Sequence, residues 1–390
     1  MRAVRLNRLP PYLFVEIDRR KRAAREAGRD IIDFGVGDPD QPTPAFIVNA
    51  MKEAVHEARH HRYAPGVGYP EFREAAARFF QRRFGVELDP TKEVISVIGS
   101  KEALGHLPLA VVNPNDVALI PQPGYPVYES ATLFAGGVPF AMPLRERNGW
   151  LPAFEEIPQD VLRRAKLMFL NYPNNPTSAT ATMDFLEKAV WVARSHEILI
   201  VHDAAYAEVY FEKPPPSILQ VEGASDVSVE FHSLSKTFNM TGWRIGFAVG
   251  HADVLAALAA VKSNVDSGVF GAIQQAGTVA LNRYDRPEIS AQRELYLRRR
   301  DVLVAGLREA GWHAIAPRAT FFVWVACPGG VDSMAVCSRL LEEADIVAVP
   351  GIGFGEHGEG FVRFALTVDE MRIREACTRI ARLEWAPLPR

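Results

Sequence analysis

VISVIG (94–99), VALIPQP (117–123), VPFAMPL (138–144), KLMFLNY (166–172), ILIVHDA (198–204), VSVEFHSLS (227–235) and RIGFAVG (244–250) punctuate the middle of this chain at roughly even intervals. Each is short and rich in β-branched or large apolar residues, so each reads as a strand. Several are apolar at both alternations, as strands covered by helices on both faces should be. Segments between them, such as 183–196, carry the spacing of amphipathic helices. The result is an α/β domain built on a mostly parallel, seven-stranded sheet.

Upstream, EFREAAARFFQRRF (71–84) sets Phe72, Ala75, Ala76, Phe79 and Phe80 at helical spacing and should pack on that sheet. Downstream, 288–310 reads as one long charged helix, followed by alternating runs around 320–326 and 361–366 and a last helix over about 368–383. These belong to a smaller α+β lobe. The first 35 or so residues, with a helix at 15–27, have no sheet of their own and are expected to dock on that lobe. The expected division is therefore 1–45, an N-terminal arm and part of the small domain, 46–285, the large domain, and 286–390, the small C-terminal domain. PPP at 214–216 is too short for a linker.

A length of 390 residues fits two to three domains at about 150 residues each. Hydrophobic residues at 48% and charged residues at 23% are globular values, which sets aside disorder and fibrous classes. The net charge of −3 shows no basic excess, so neither nucleic acid nor an anionic membrane is the expected partner. Cys327, Cys337 and Cys377 are odd in number and lack CxxC spacing, which argues against a disulfide framework or structural zinc. With no signal-peptide core after MRAVRLNRLPPYLF and no apolar run of about 18 residues, a cytoplasmic protein acting on small molecules is expected.

The chemistry concentrates in FHSLSKTFNMTGWRIGFAVG (231–250). A lone lysine is usually a solvated surface group. Lys236, however, follows Ser233 and Ser235 and precedes Arg244, and two hydroxyls with a planar guanidinium are the equipment for holding a phosphate dianion beside an amine. That combination suggests a Schiff base to pyridoxal phosphate. The pyridine nitrogen would need a carboxylate at a strand end, and ILIVHDAAYAE (198–208) offers Asp203, which could also be a plain Asx-turn. Tyr206, three residues on, and Asn175 in LNYPNNPTSAT (170–180) could bond the ring oxygen, or serve as core packing and a Pro-Asn turn. PQPGYPVY (121–128) offers Tyr125 or Tyr128 to cover the ring, although both could be packing staples. In VISVIGSKEALGHL (94–107), Ser100 and Lys101 open a helix after Gly99, where amides and dipole favour an anion by about 0.3 to 1 kcal/mol. Arg363, among apolar neighbours in FVRFAL (361–366), reads as a fork for a substrate carboxylate or as half of a structural pair.

GIGFGEHGEG (351–360) has G-x-G spacing but opens no helix after a βαβ-type strand, so a flexible loop is expected there and no dinucleotide site. His60 and His61 lack spaced acidic or cysteine partners, and no metal site is expected.

Eight pieces occur together: DFGVGDPDQPTP (33–44), RYAPGVGYPEFREA (62–75), GSKEAL (99–104), PGYPVY (123–128), NYPNNPT (171–177), HDAAY (202–206), SLSKTFNMTGWRIGF (233–247) and VRFAL (362–366). In this order and at these spacings, the chain resembles the class I/II aminotransferases of the pyridoxal-phosphate-dependent fold type I, the aspartate aminotransferase-like fold. The resemblance implies that Lys236 carries the cofactor and moves a proton at the substrate's α-carbon. It pairs Asp203 with the pyridinium and Tyr206 and Asn175 with the ring oxygen, and stacks Tyr125 on the ring. Ser100, Lys101, Ser233, Ser235 and Arg244 would hold the phosphate, with Tyr63 reaching the phosphate of the other subunit, so a homodimer with shared sites is implied. Gly37, Asn175 and Arg363 would hold the α-carboxylate. Two departures stand out: the usual glycine after NPT is Ser178, which puts the turn in question, and Phe72-Arg73 replaces Leu-Arg.

Within that family, LPPYLFVEIDR, VGDPDQPTP, GSKEALGHLPLA, KSNVDSGVF and VRFALTVDE are most similar in texture to bacterial LL-diaminopimelate aminotransferases. That resemblance implies ping-pong transfer from LL-2,6-diaminopimelate to 2-oxoglutarate in lysine biosynthesis. It places Tyr12 on an arm covering the neighbouring site, where Tyr12 and Phe14 could equally be anchors. The alternatives are an aminotransferase for alanine, aspartate or aromatic substrates, or a carbon-sulfur lyase on the same scaffold. A transcription factor carrying a degenerate domain of this kind would need an added DNA-binding region, for which the fold leaves no room.

Overall fold

The computed structural model describes residues 3–9 and 13–385. Its strands, in chain order, are β1 (Ile32–Asp33), β2 (Val94–Val97), β3 (Val117–Gln122), β4 (Val138–Pro143), β5 (Ala165–Asn171), β6 (Leu199–Asp203), β7 (Ser228–Ser233), β8 (Gly246–Gly250), β9 (Phe322–Ala326), β10 (Ile346–Val347), β11 (Val349–Pro350) and β12 (Phe361–Ala365). The seven apolar runs of the middle segment are the seven strands of the main sheet, ordered β2-β8-β7-β6-β5-β3-β4. Only β8 runs against its neighbours; the other pairings are parallel.

Side-chain alternation divides that sheet between two helical layers. Leu167 and Phe169 of β5 join Ala118, Val201 and Val229 against Leu104 and Leu107 of helix Ser100–Val111 and Leu255 and Leu258 of helix Ala252–Val265. Met168 and Leu170 turn the other way, onto Leu186, Ala189 and Val190 of helix Met183–His196. Farther along the same face, Phe72, Ala76, Phe79 and Phe80 of helix Pro70–Phe84 cover Val94, Phe247 and Val249, with Ala276 and Ala280 of helix Gly271–Asn282 beside them. Each apolar side chain of this size removed from water contributes about 1.5 to 3 kcal/mol, which is why the run pattern specifies the sheet.

The smaller α+β domain is organised around β9, β11 and β12, an antiparallel trio in the order β11-β12-β9. Helix Pro287–Glu309 packs on it through Tyr296, Leu303, Val304 and Leu307. The strand β9 starts at Phe322, two residues later than the alternation suggests, and the last helix spans Glu370–Ile380, trimmed at its start by the Asp369 cap (Met371 N–H to Asp369 Oδ1, 2.9 Å). The N-terminal segment docks on this domain: helix Leu13–Glu26 is tied by Arg20 to Ser338 (2.9 Å) and Glu342 (2.7 Å). Contrary to expectation, the segment also contributes a short strand, because β1 pairs in parallel with β10.

Candidate active site

The parallel strands aim their carboxyl ends at one cavity of about 460 Å³, the position at which open α/β sheets bind ligands. Ser100, Lys101, Tyr125, Asn175, Asp203, Tyr206, Ser233, Ser235, Lys236 and Arg244 line it, together with Gly37 and Arg363 from the small-domain side. Tyr63 lies outside it and is 90% exposed, and Tyr12 falls outside the described residues. A larger apolar hollow of about 910 Å³ adjoins it and shares Lys101, Tyr125, Arg244 and Phe354, but Lys236, Asp203 and Arg363 face only the smaller one.

The anion-binding set follows from local geometry. Gly99, at φ +71°, turns β2 into helix Ser100–Val111, and a Cβ there would collide with the Arg244 guanidinium. Glycine is required for that crossing. Arg244 donates to Thr241 O (2.9 Å) and lies 3.4 Å from Ser235 Oγ, while Ser233 Oγ accepts from Ser235 N–H (3.2 Å). Two hydroxyls, a guanidinium and the helix start at Ser100 thus line the cavity beside Lys101, whose ammonium stands 5.9 Å from the Tyr125 ring. This is a complement for a phosphate dianion.

Lys236 is the one-turn continuation of β7, and its amine donates to Gly37 O (2.9 Å). It forms no salt bridge among the described residues. Burial, aided by the nearby Arg244 and Arg363 and opposed by Asp38, lowers its pKa to about 8. Asp203, at the end of β6, is buried, and burial pushes its carboxyl up, against the pull of the Tyr128 hydroxyl (2.7 Å) and the Ala205 N–H (3.3 Å). Tyr125 and Tyr128, equivalent candidates in the sequence, are thereby separated: Tyr125 lines the cavity and Tyr128 is fully buried, holding Asp203 and stacked on Phe169. Tyr206 is buried beside Phe321 and Phe322, which raises its phenol.

Arg363, on β12, donates to Asn175 Oδ1 (2.8 Å) and Gly35 O (2.9 Å), with its guanidinium 4.2 Å from the Phe322 ring. Gly37 faces the same ring so closely that a Cβ would stand 2.8 Å from it. Ser178 takes the glycine-like conformation directly, at φ +63°, and offsets the strain by bonding Thr320 Oγ1 (2.6 Å) and Phe322 O (2.8 Å). The turn and Asn175 are therefore both in place.

Sequence reading missed several wall residues. Asn171 ties Asp203 O (2.7 Å) to Asn175 N–H (2.8 Å), and its signal was the same polar strand end that exposed Asp203. Ile17, Asp18, Lys21 and Asp33 reach the cavity from the N-terminal segment; Ile17 and Asp18 stand in LPPYLFVEIDR and Asp33 opens DFGVGDPDQPTP, but nothing in those pieces marks them as wall residues. The expected flexible loop at 351–360 is instead two packed turns: Gly124 N–H bonds Phe354 O (2.9 Å), and the Phe354 ring stands 4.9 Å from the Arg363 guanidinium.

The donor set fits pyridoxal phosphate. An electrophilic aldehyde, a cationic ring nitrogen and a dianion would meet an amine of lowered basicity, a buried carboxylate with no salt bridge among the described residues, and the Ser-Arg cradle.

The sheet, the smaller domain and this lysine-aspartate-arginine constellation define the aspartate aminotransferase-like class of α/β enzymes. The family model for aminotransferase class I and II matches residues 29–380, and the chain belongs to that family. It is 53% identical over 386 residues to an LL-diaminopimelate aminotransferase of Syntrophobacter fumaroxidans, with 99% of each chain covered. Among solved structures, substrate-bound BacF of Bacillus subtilis superposes with a TM-score of 0.94 at 39% identity, covering 98% of this chain and 97% of that one. An aspartate aminotransferase double mutant of Thermus thermophilus gives 0.92 at 31% identity, covering 98% and 100%. Among the described residues, no helix is long and apolar enough to cross a membrane.

Proposed function

We propose that this aminotransferase binds pyridoxal 5'-phosphate and passes the amino group of LL-2,6-diaminopimelate to 2-oxoglutarate by a ping-pong mechanism, in cytoplasmic lysine biosynthesis. The observation that carries the chemistry is the meeting of Lys236, Asp203 and Arg363 around one cavity. The substrate choice rests on the 53% identity to the Syntrophobacter enzyme. When bound, the cofactor supplies an electron sink that lets the α-carbon proton leave. Lys236 takes that proton and returns it on the cofactor side. Asp203, held by Tyr128, keeps the ring nitrogen protonated, and Tyr206 and Asn175 bond the ring oxygen. Tyr125 covers one ring face, and Ser100, Lys101, Ser233, Ser235 and Arg244 hold the phosphate. The Arg363 fork, with Asn175 and Gly37, fixes the α-carboxylate shared by amino and keto substrates. The unit 46–285 carries the cofactor, and 286–390 with the 1–45 arm supplies the carboxylate side.

Mixing the holoenzyme with single amino donors, without an acceptor, tests the substrate choice through the loss of the cofactor's yellow absorbance. LL-diaminopimelate and glutamate are expected to discharge it, and alanine and aspartate barely to do so. Fastest discharge by alanine, aspartate or an aromatic amino acid would overturn the substrate while leaving the class intact. Pyruvate and ammonia released from a cysteine conjugate, with no acceptor, would mark a lyase.

The reading further places Tyr12 and Tyr63 across a homodimer, and the exposure of Tyr63 supports this. Light scattering should give twice the chain mass, and Tyr63→Phe should weaken cofactor binding about tenfold, the size of one hydrogen bond to a charged group. A monomeric mass, or unchanged affinity in the variant, would contradict the shared site.

A further inference from the structure

Lys262, on helix Ala252–Val265, is fully buried yet does not line the cavity. Its ammonium lies 3.1 Å from Glu102 Oε2 and 3.1 Å from Asp266 Oδ2. Glu102 stands in the first turn of helix Ser100–Val111, directly after the Ser100-Lys101 pair that faces the cavity. Its Oε2 also accepts the Ile98 N–H (2.9 Å), and its Oε1 meets His106 Nδ1 (2.7 Å). Asp266 accepts the Gly268 N–H (2.8 Å), and Gly268 packs on Pro65 and Gly66, in the loop that carries Tyr63. Glu102, His106 and Asp266 bring their ligand atoms within 4.8 Å of one another, as a metal site would. The lysine ammonium, however, already bridges both carboxylates, so the chain itself supplies the cation.

Burying an ion pair is costly, and well-packed apolar side chains often replace one without loss of stability. An apolar side chain would not neutralise Glu102. That carboxylate braces Ile98 and so the turn at Gly99, but it stands in the same first helical turn as Ser100 and Lys101, which face the expected dianion, and like charges repel. We infer that Lys262 is a positioning residue for the cofactor's phosphate: its ammonium, shared with Asp266, offsets part of the charge of Glu102, so that the carboxylate can brace the Ile98–Lys101 turn with less repulsion of the dianion. The inference rests on the proposed phosphate site.

The test compares the affinity of cofactor-free full-length protein for pyridoxal 5'-phosphate with its affinity for pyridoxal, which lacks the phosphate. The ratio isolates the phosphate's share and is insensitive to a general loosening of the fold. Lys262→Met should weaken pyridoxal phosphate about tenfold, in the range of one charge acting at a helix N-terminus, with little change for pyridoxal. Adding Glu102→Gln should restore most of the loss. Glu102→Gln alone, which leaves the buried cation in place, should bind pyridoxal phosphate at least as tightly as the wild type, and this arm stands if Lys262→Met does not fold. Equal weakening of both ligands, no recovery in the double variant, or a phosphate-specific loss in Glu102→Gln would overturn the role of Lys262. A wild-type protein that does not prefer pyridoxal phosphate over pyridoxal would overturn the phosphate site itself.

Discussion

Alanine at position 236 is expected to take turnover to background, a loss of more than about 10⁴-fold, because in the proposed mechanism one side chain would serve both as the attachment point for the cofactor and as the general acid/base. The structure explains why this lysine is fit for both tasks. Its amine is desolvated and flanked by Arg244 and Arg363, so it titrates near pH 8 instead of in the range of exposed lysines. Lowering the pKa of a cationic acid increases its neutral, nucleophilic fraction at neutral pH. The capture of pyridoxal phosphate by cofactor-free protein should therefore quicken as pH rises through about 8 and level off above it. The alanine variant should lose that step along with its activity. It should stay folded, since among the described residues the amine's hydrogen bond is to Gly37 O alone, and an unchanged circular-dichroism melt would check this. Steady-state activity retained by the variant would remove Lys236 from the mechanism.

The main sheet was legible because its physics is local. Strands buried on both faces are apolar at most positions, and all seven runs between Val94 and Gly250 became its strands. Less local features were less legible. Nothing in RIGFAVG says that β8 runs against its neighbours, since the direction of a strand depends on its connections and leaves no mark in its composition. Glu230 lay hidden inside VSVEFHSLS. There it is fully buried on β7, where burial is outweighed by bonds from His202 (3.1 Å) and His232 (2.6 Å), which leave its carboxyl well below the usual range. A two-residue periodicity can flag such a residue, and even the His232 two places on, but cannot supply His202 on β6 or the Ser217 hydroxyl (2.8 Å) and Ile218 N–H (2.9 Å) that also bond it.

The site shows the same division. Residues at or just past the ends of strands, such as Asp203, Asn175 and Lys236, stood out as polar groups following apolar runs, and it was their occurrence together that set them apart from the turns each of Asp203 and Asn175 could form alone. Tyr128 could not be separated from Tyr125, because both are proline-flanked aromatics and only the helix start at Val127 turns one inward and the other toward the cavity. Asp18, Lys21 and Asp33 were invisible for a different reason. Helix Leu13–Glu26 reads as an ordinary charged surface helix; Lys21 pairs with Asp18 one turn back on that helix (2.7 Å), but only docking brings it onto Asp33 (3.0 Å) at the cavity wall.

Arg363→Ala should raise KM for the amino donor and the keto acceptor alike, by about 10 to 100-fold for one charge-assisted hydrogen bond and more if both arms of the fork engage the carboxylate. A ping-pong transaminase binds an amino acid and then a keto acid in the same place, and the feature common to both is the α-carboxylate. Arg363 is 4% exposed, and Asn175 Oδ1 and Gly35 O hold its guanidinium in plane. A carboxylate arriving in the cavity therefore meets an oriented fork and need not order one. Arg363→Lys separates charge from geometry: the ammonium keeps the attraction but cannot present two parallel donors, so its KM values should fall between those of the wild type and the alanine variant. Because Arg363 also lowers the basicity of Lys236, its removal should move the alkaline step of pyridoxal phosphate capture upward, a shift that Arg363→Lys should largely spare. A rise in KM for only one of the two substrates would mean that the other is held elsewhere, and the shared fork would have to be abandoned.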